Sequence, residues 1–189
     1  SFIEKNETVQ YESNKEIKVA YFASGCFWCV EAVFESLHGV EEAVSGYAGG
    51  HTNNPTYQST GSGKTGHAET VAVYYNPKKI SFKTLVTVYF GSHNPTTVNG
   101  QKPDFGSQYR SIAFYKTDLQ RKIIINAITE LSKIYNNKIA TEVTKFTKFY
   151  IAEDYHQNFE RRNPNHPYVR SVSIPRLNNF KRKFPELLK

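Results

Sequence analysis

The chain has 189 residues, 39% hydrophobic and 22% charged, the size and balance of one ordinary globular domain. No run approaches the roughly 18 apolar residues of a membrane span, and nothing at the amino terminus reads as a signal peptide. The net charge of +7 admits acidic partners. Its basic residues are scattered, however, apart from Lys181, Arg182 and Lys183, a cluster that a solvated helix face explains; no nucleic-acid motif accompanies it.

Residues 1–16 are polar and read as a flexible segment, leaving 17–189 as a single domain with a helical tail. Residues 18–23 are partly apolar and bounded by Ser24-Gly25, so they predict a strand. Phe27, Val30, Phe34 and Leu37 then recur near helical spacing. Ser24 is placed to cap that helix, which would put Cys26 in its first turn. A strand over 40–47 follows Gly39, and a long loop rich in Gly, Asn, Ser, Thr and Pro fills 50–66.

Residues 67–75 alternate as a strand. Phe82, Leu85, Val86, Tyr89 and Phe90 give an amphipathic helix behind a Ser81 cap. A second long loop over 94–107 leads to a strand over 109–115. Thr117 and Gln120 suit a capping box for a helix reaching about Tyr135. A strand near 141–145, a short helix near 153–161 and an amphipathic helix with Leu177, Phe180 and Phe184 complete the chain. The pattern is that of a single α+β domain. Two loops this long in one compact domain point to function.

Only two cysteines are present, Cys26 and Cys29, too few for a secreted disulfide scaffold. A zinc site needs further Cys or closely spaced His, and the six His are scattered singly. Redox chemistry is the leading reading. In the first turn of a helix, Cys26 would meet unpaired N–H groups and the positive dipole end, both favouring the nucleophilic thiolate. Residues three apart on a helix have Cα atoms about 5 Å apart, within the roughly 4.4–6.8 Å that a disulfide accepts. Phe27 and Trp28, the chain's one Trp, could line a pocket for a small apolar group. For Phe27, a place in the core competes with that role; Trp28 lies off the apolar stripe, which favours it.

Glu69 shares a strand face with His67, Val71, Val73 and Tyr75. Desolvation there would raise its pKa and make it a general acid; a Glu at a frayed strand start, paired with a Lys, is the equal alternative. Gly61-Ser62-Gly63-Lys64-Thr65 imitates a phosphate-binding loop, but Gln58 stands where that motif needs Gly, and a polar loop precedes it.

Several motifs in order carry a family resemblance: Gly25-Cys26-Phe27-Trp28, Gly46-Tyr47 with Gly49-Gly50, and Asn54-Pro55-Thr56-Tyr57. Thr65-Gly66-His67-Ala68-Glu69, Gln108-Tyr109-Arg110-Ser111 and Ala152-Glu153-Asp154-Tyr155-His156-Gln157 continue it. Across about residues 20–164 the chain resembles the A-type methionine sulfoxide reductases. The resemblance implies that 17–189 is a catalytic α+β domain, a two-layer sandwich around a mixed, mainly antiparallel sheet, that reduces the S-epimer of methionine sulfoxide, free or in proteins. It implies attack by Cys26 on the sulfoxide sulfur, a proton from Glu69, and hydrogen bonds from Tyr47 and Tyr109 to the oxygen. Phe27 and Trp28 would hold the substrate methyl group, and Asp104 would help order the site. The product on Cys26 is a sulfenic acid, which a second thiol closes to a disulfide that thioredoxin reduces. No metal, haem or flavin is implied.

The chain departs from that pattern in places. Many members have Gly at the position of Cys29 and keep resolving cysteines near the C-terminus; here Cys29 is the one other thiol and the expected resolving group. Phe105 and Asn94 stand where His and Asp are frequent. A thioredoxin-like disulfide oxidoreductase is the alternative, explaining Cys26 and Cys29 but not Glu69, Tyr47 or Tyr109; a basic binding module is a more distant one. The expected enzyme is a monomer without a membrane span or nucleic-acid partner. The sequence has no Met, so the native start is read as missing: a cytoplasmic setting is expected first, with a periplasmic or lipid-anchored one open.

Overall fold

Short runs of β-branched and aromatic residues, each closed by Gly, Asn or Pro, pair into one sheet. The computed structural model describes residues 16–189, so the flexible segment expected for 1–16 lies outside the described residues except for Glu16. In chain order the elements are β1 (Lys18–Ser24), α1 (Phe27–Glu35), β2 (Val40–Ala48), α2 (Tyr57–Gly61) and β3 (Ala68–Tyr75). Then come α3 (Phe82–Gly91), β4 (Gly100–Gln101), β5 (Asp104–Phe105), a 3-10 turn (Ser107–Tyr109), β6 (Ser111–Tyr115) and α4 (Asp118–Ser132). The chain ends with β7 (Glu142–Lys145), β8 (Phe149–Ile151), a 3-10 turn (Asp154–His156), α5 (Phe159–Arg162), a π-helical turn (Val169–Ser173), α6 (Ile174–Lys183) and a last 3-10 turn (Pro185–Leu187).

The six-stranded sheet has the order β7-β6-β1-β3-β2-β8, and β6–β7 is its one parallel pair. It is mixed and mainly antiparallel, as expected. β3 lies at its centre with every residue buried. Val71, Val73 and Tyr75 face the larger core under the helices, while Ala68, Ala72 and Tyr74 face a smaller core with Tyr21, Ile112 and Phe114. The polar–apolar alternation in sequence therefore does not mean a solvated face. It marks two covered ones, with Glu69 on the helical side.

The helix caps behave as their residue types dictate. Ser81 accepts the Thr84 N–H and Thr117 accepts the Gln120 N–H, each meeting one of the donors a helix start leaves open. Several elements differ from expectation, among them a short helix within the 50–66 loop and a strand that starts at Ala68 rather than His67. α4 stops at Ser132 rather than Tyr135, and residues 109–110 belong to a 3-10 turn and its end rather than to β6. The helix expected over 153–161 is interrupted where Asn158 adopts φ 55°. The loop over 94–107 carries the small β4–β5 hairpin, and β8 has no counterpart in the sequence reading. Among the described residues, no helix is long and apolar enough to cross a membrane.

β8 docks on β2 through a close approach at Gly46: a Cβ there would lie 2.2 Å from the Phe149 ring and 2.4 Å from the Tyr150 carbonyl oxygen. Backbone cannot retreat as a flexible side chain can, so overpacking should force β8 outward. Gly46→Ala is expected to lower stability by about 1–3 kcal/mol, read as a shifted urea midpoint with an unchanged slope. An unchanged midpoint would mean that β8 is not docked there.

Candidate active site

The junction between β1 and α1 positions the first thiol. Gly25 makes the turn with φ +95°, a conformation open to Gly at little steric cost. Ser24 still belongs to the sheet, paired with Ser111 of β6, so it does not cap the helix as expected. Cys26 occupies the cap position, with no side-chain cap bond, and the first helical residue is Phe27. The open donor is met from elsewhere: Glu69 Oε1 accepts the Phe27 N–H at 3.1 Å.

Glu69 is 3% exposed and lies opposite Tyr47 in the β2–β3 register. Neither of the two ion pairs among the described residues involves it, so the alternative of a frayed, lysine-paired carboxylate does not describe it. Burial pushes its pKa up to about 8; the Phe27 N–H holds it down, and the charges of Asp104 and Cys29 raise it further. A neutral carboxyl accepts best through its carbonyl oxygen. With Oε1 taken by Phe27, the proton belongs on Oε2.

Both cysteines are free and buried. The two thiols bear on each other's protonation. Burial pushes the Cys26 thiol up, helped by Cys29 and by the negative field of Glu69. The hydrogen bond from Cys26 brings Cys29 down to about 6 against its own burial, with Arg176, Ser173 and Tyr168 contributing. The expectation of a resting thiolate on Cys26 is thus corrected. Cys26 lies outside the first turn, and desolvation outweighs the helix end, which favours the protonated thiol on Cys26.

Tyr47 is fully buried beneath this junction, and its hydroxyl donates to Glu153 Oε1 at 2.7 Å. Glu153 Oε2 accepts the Tyr57 N–H at 3.0 Å, so one carboxylate ties β2 to α2. The Tyr57 and Tyr109 phenols bear on each other's protonation. Burial, above all, keeps these phenols protonated: Tyr47 and Tyr109 are raised strongly and Tyr57 to about 12.

The aromatic residues after Cys26 divide. Phe27 is fully buried against Tyr47, His156 and Tyr57, with ring centroids 5.8, 4.9 and 6.4 Å away. Trp28 is half-buried, stacks on Phe159 at 3.7 Å, and donates its Nε1–H to His156 Nδ1 at 3.0 Å. Asp104, on β5, accepts the hydroxyl proton of Tyr168, while the Tyr168 oxygen lies 3.8 Å from the Cys29 sulfur.

The structure therefore gathers Cys26, Cys29, Phe27, Trp28, Tyr47, Glu69, Asp104 and Tyr109 around one helix start. It adds Tyr57, Glu153, His156, Tyr168, Ser173 and Arg176, to which the sequence reading gave no role. For Glu153 and His156 a signal was present, since both fall in a quoted motif. For Tyr168, Ser173 and Arg176 none was visible: they meet Cys29 only because the tail folds back.

A family model described as peptide methionine sulfoxide reductase matches residues 18–188. The chain is 44% identical over 184 residues to a peptide methionine sulfoxide reductase MsrA 1 of Rhodopirellula baltica, covering 97% of this chain and 96% of that one. Among solved structures it is similar to reduced Mxr1 of Saccharomyces cerevisiae, with TM-score 0.76 and 35% identity, over 80% of this chain and 88% of that one. It is also similar to Mxr1 in complex with Trx2, with TM-score 0.56 and 28% identity over 78% and 87% of the two chains.

A neutral buried carboxyl has a spectroscopic consequence. Infrared difference spectra between the native chain and Glu69→Gln should show a protonated carboxyl band at pH 6 that disappears as pH rises through about 8. A band already absent at pH 6 would mean that Glu69 is ionised in spite of its burial.

Proposed function

Because this chain belongs to the peptide methionine sulfoxide reductase family, reducing methionine sulfoxide and being recycled by thioredoxin, we propose how its own residues carry the reaction. The observation that supports the reading best is the buried, neutral Glu69 locked to the helix start that presents Cys26. The same turn thus supplies a nucleophile and an acid.

In this reading Cys26 attacks the sulfoxide sulfur, and Glu69 Oε2 gives its proton to the oxygen. Tyr47, Tyr57 and Tyr109 stay protonated and offer O–H donors to that oxygen as negative charge develops. Tyr47 must exchange its bond with Glu153 to do so. The oxygen then passes to the Cys26 sulfur as the substrate S–O bond and the new S–S bond break; the substrate sulfur has gained two electrons and leaves as the thioether, and Cys26 carries the oxygen as a sulfenic acid. Cys29 then attacks the Cys26 sulfur, water leaves, and a Cys26–Cys29 disulfide forms for thioredoxin to exchange. A thioredoxin partner is in keeping with the Mxr1–Trx2 complex. Residues 17–189 form the catalytic domain in this reading, working as a monomer in a cytoplasmic setting.

Three outcomes follow. A pocket built from fixed aromatic and acidic groups should reduce the S-epimer and leave the R-epimer almost untouched; equal rates when the epimers are followed separately would refute the assignment. Glu69→Gln should slow the single-turnover reductase step by roughly 10²–10⁴-fold. In the native enzyme that step should fall as pH rises past about 8, because the proton donor is lost above its pKa. In a burst experiment Cys26→Ser should release no methionine. Cys29→Ser should release one equivalent and then stall with thioredoxin. Normal thioredoxin-driven turnover by Cys29→Ser would remove Cys29 from the recycling route.

A further inference from the structure

Cys29, on α1, meets the carboxyl-terminal segment. Val169–Ser173 form a π-helical turn running directly into α6, a widened geometry that is rare and often found at functional sites. Ser173 is fully buried there, and its Oγ lies 3.0 Å from the Cys29 sulfur. From α6, Arg176 lays its guanidinium beside the turn before Cys26: Nη1 would be 3.6 Å from a Cβ on Gly25, and Nη2 donates to the Lys102 carbonyl at 2.8 Å.

The two sulfurs are therefore unequally supported. Cys29 has the Ser173 hydroxyl 3.0 Å from its sulfur, and the Cys26 thiol and the positive charge of Arg176 also favour its ionised form. Tyr168 lies near it but gives its proton to Asp104. Opposing a charge on Cys29 are its burial and the carboxyl groups of Glu69 and Glu160. Cys26 has one supporting donor, the backbone of Trp28, and faces burial, Cys29 and Glu69.

We propose that Ser173 and Arg176 are positioning residues that hold the negative charge of the pair on Cys29, so that Cys29 is the base for the first step as well as the nucleophile of the second. This rests on the reductase reading above. As the Cys26 sulfur bonds to the sulfoxide sulfur, the Cys26 proton passes to the Cys29 sulfur and the Glu69 proton to the oxygen. Once Cys26 holds that oxygen as S–OH, the Cys29 sulfur forms the S–S bond, and its proton leaves with the hydroxyl as water. The two protons of reduced thioredoxin then restore Cys26 and Glu69, leaving the charge on Cys29 again. Two electrons have passed from thioredoxin to the sulfoxide.

The test begins without substrate. In Cys26→Ser the remaining thiol is Cys29, still faced by a hydroxyl, and its ultraviolet thiolate absorbance should appear with a midpoint below pH 7. In Cys29→Ser the remaining thiol should titrate above pH 9. Adding Ser173→Ala to Cys26→Ser should raise the Cys29 midpoint by about one to two pH units, the worth of a hydrogen bond to a charged group. Arg176→Gln, at a half-buried position, should raise it as well. A low midpoint for Cys26 with a high one for Cys29, or a Cys29 midpoint that neither substitution moves, overturns the proposal. In the otherwise native chain, Ser173→Ala should slow the methionine burst at pH 6–7 and recover as pH rises toward 8, at unchanged amplitude; a burst profile identical to the native one overturns the base role. These titrations stand apart from the reductase reading, whose own failure would show as no methionine burst from the native chain.

Discussion

The hydrogen bond from the Phe27 amide to the Glu69 carboxyl holds the site together. A helix start leaves several N–H groups without intrahelical partners, and in a buried setting each must find an acceptor. Here the acceptor comes not from the preceding turn but from a strand 42 residues further along the chain. That choice fixes the angle at which α1 leaves the sheet. It also places an acid beside the cysteine that begins the helix. Removing the carboxyl from water raises its pKa toward the neutral form, so one contact bears on both packing and protonation.

A second layer of buried polar groups secures the chain segment that returns to this helix start. Gln157 bonds both backbone groups of Ser45, accepting its N–H at 2.9 Å and donating to its carbonyl at 3.0 Å, so its side chain extends the β2–β8 ladder beyond Ile151. Glu31, fully enclosed on α1, accepts the Ser45 hydroxyl at 2.5 Å and the Asn158 N–H at 2.6 Å. Between these anchors lie Glu153, which holds Tyr47 and Tyr57, and His156, which holds Trp28. The aromatic groups are thus set by bonds to a segment that is itself pinned, and their rotamers have little freedom.

The cysteine pair shows how environment overrides local rules. A thiol near a helix start is ordinarily helped toward thiolate, yet Cys26 is buried beside another thiol and a carboxyl group, and those oppose its charge. The tail supplies the compensating groups to the other sulfur. The Ser173 hydroxyl meets the Cys29 sulfur across 144 residues of sequence, and the positive charge of Arg176 acts on the same thiol in the same direction.

Much was legible in the sequence because it rests on local periodicity and on residue chemistry. The strands around Val44, Val71 and Phe114, the caps at Ser81 and Thr117, and the redox reading of Cys26 and Cys29 all follow from short-range pattern. For Glu69 the alternation left burial and a frayed strand start equally open, and the covering helices decide it. Beyond reach were β8, whose three residues form a strand only because β2 offers an edge, and the helical breaks at Asn158 and Ser173. The partners of each group were equally hidden: Glu69 with Phe27, Tyr47 with Glu153, Trp28 with His156, Cys29 with Ser173. Each pair is distant in sequence and made by packing. A residue's chemistry belongs to its side chain, but its protonation state depends on neighbours and burial, which only the tertiary structure brings together.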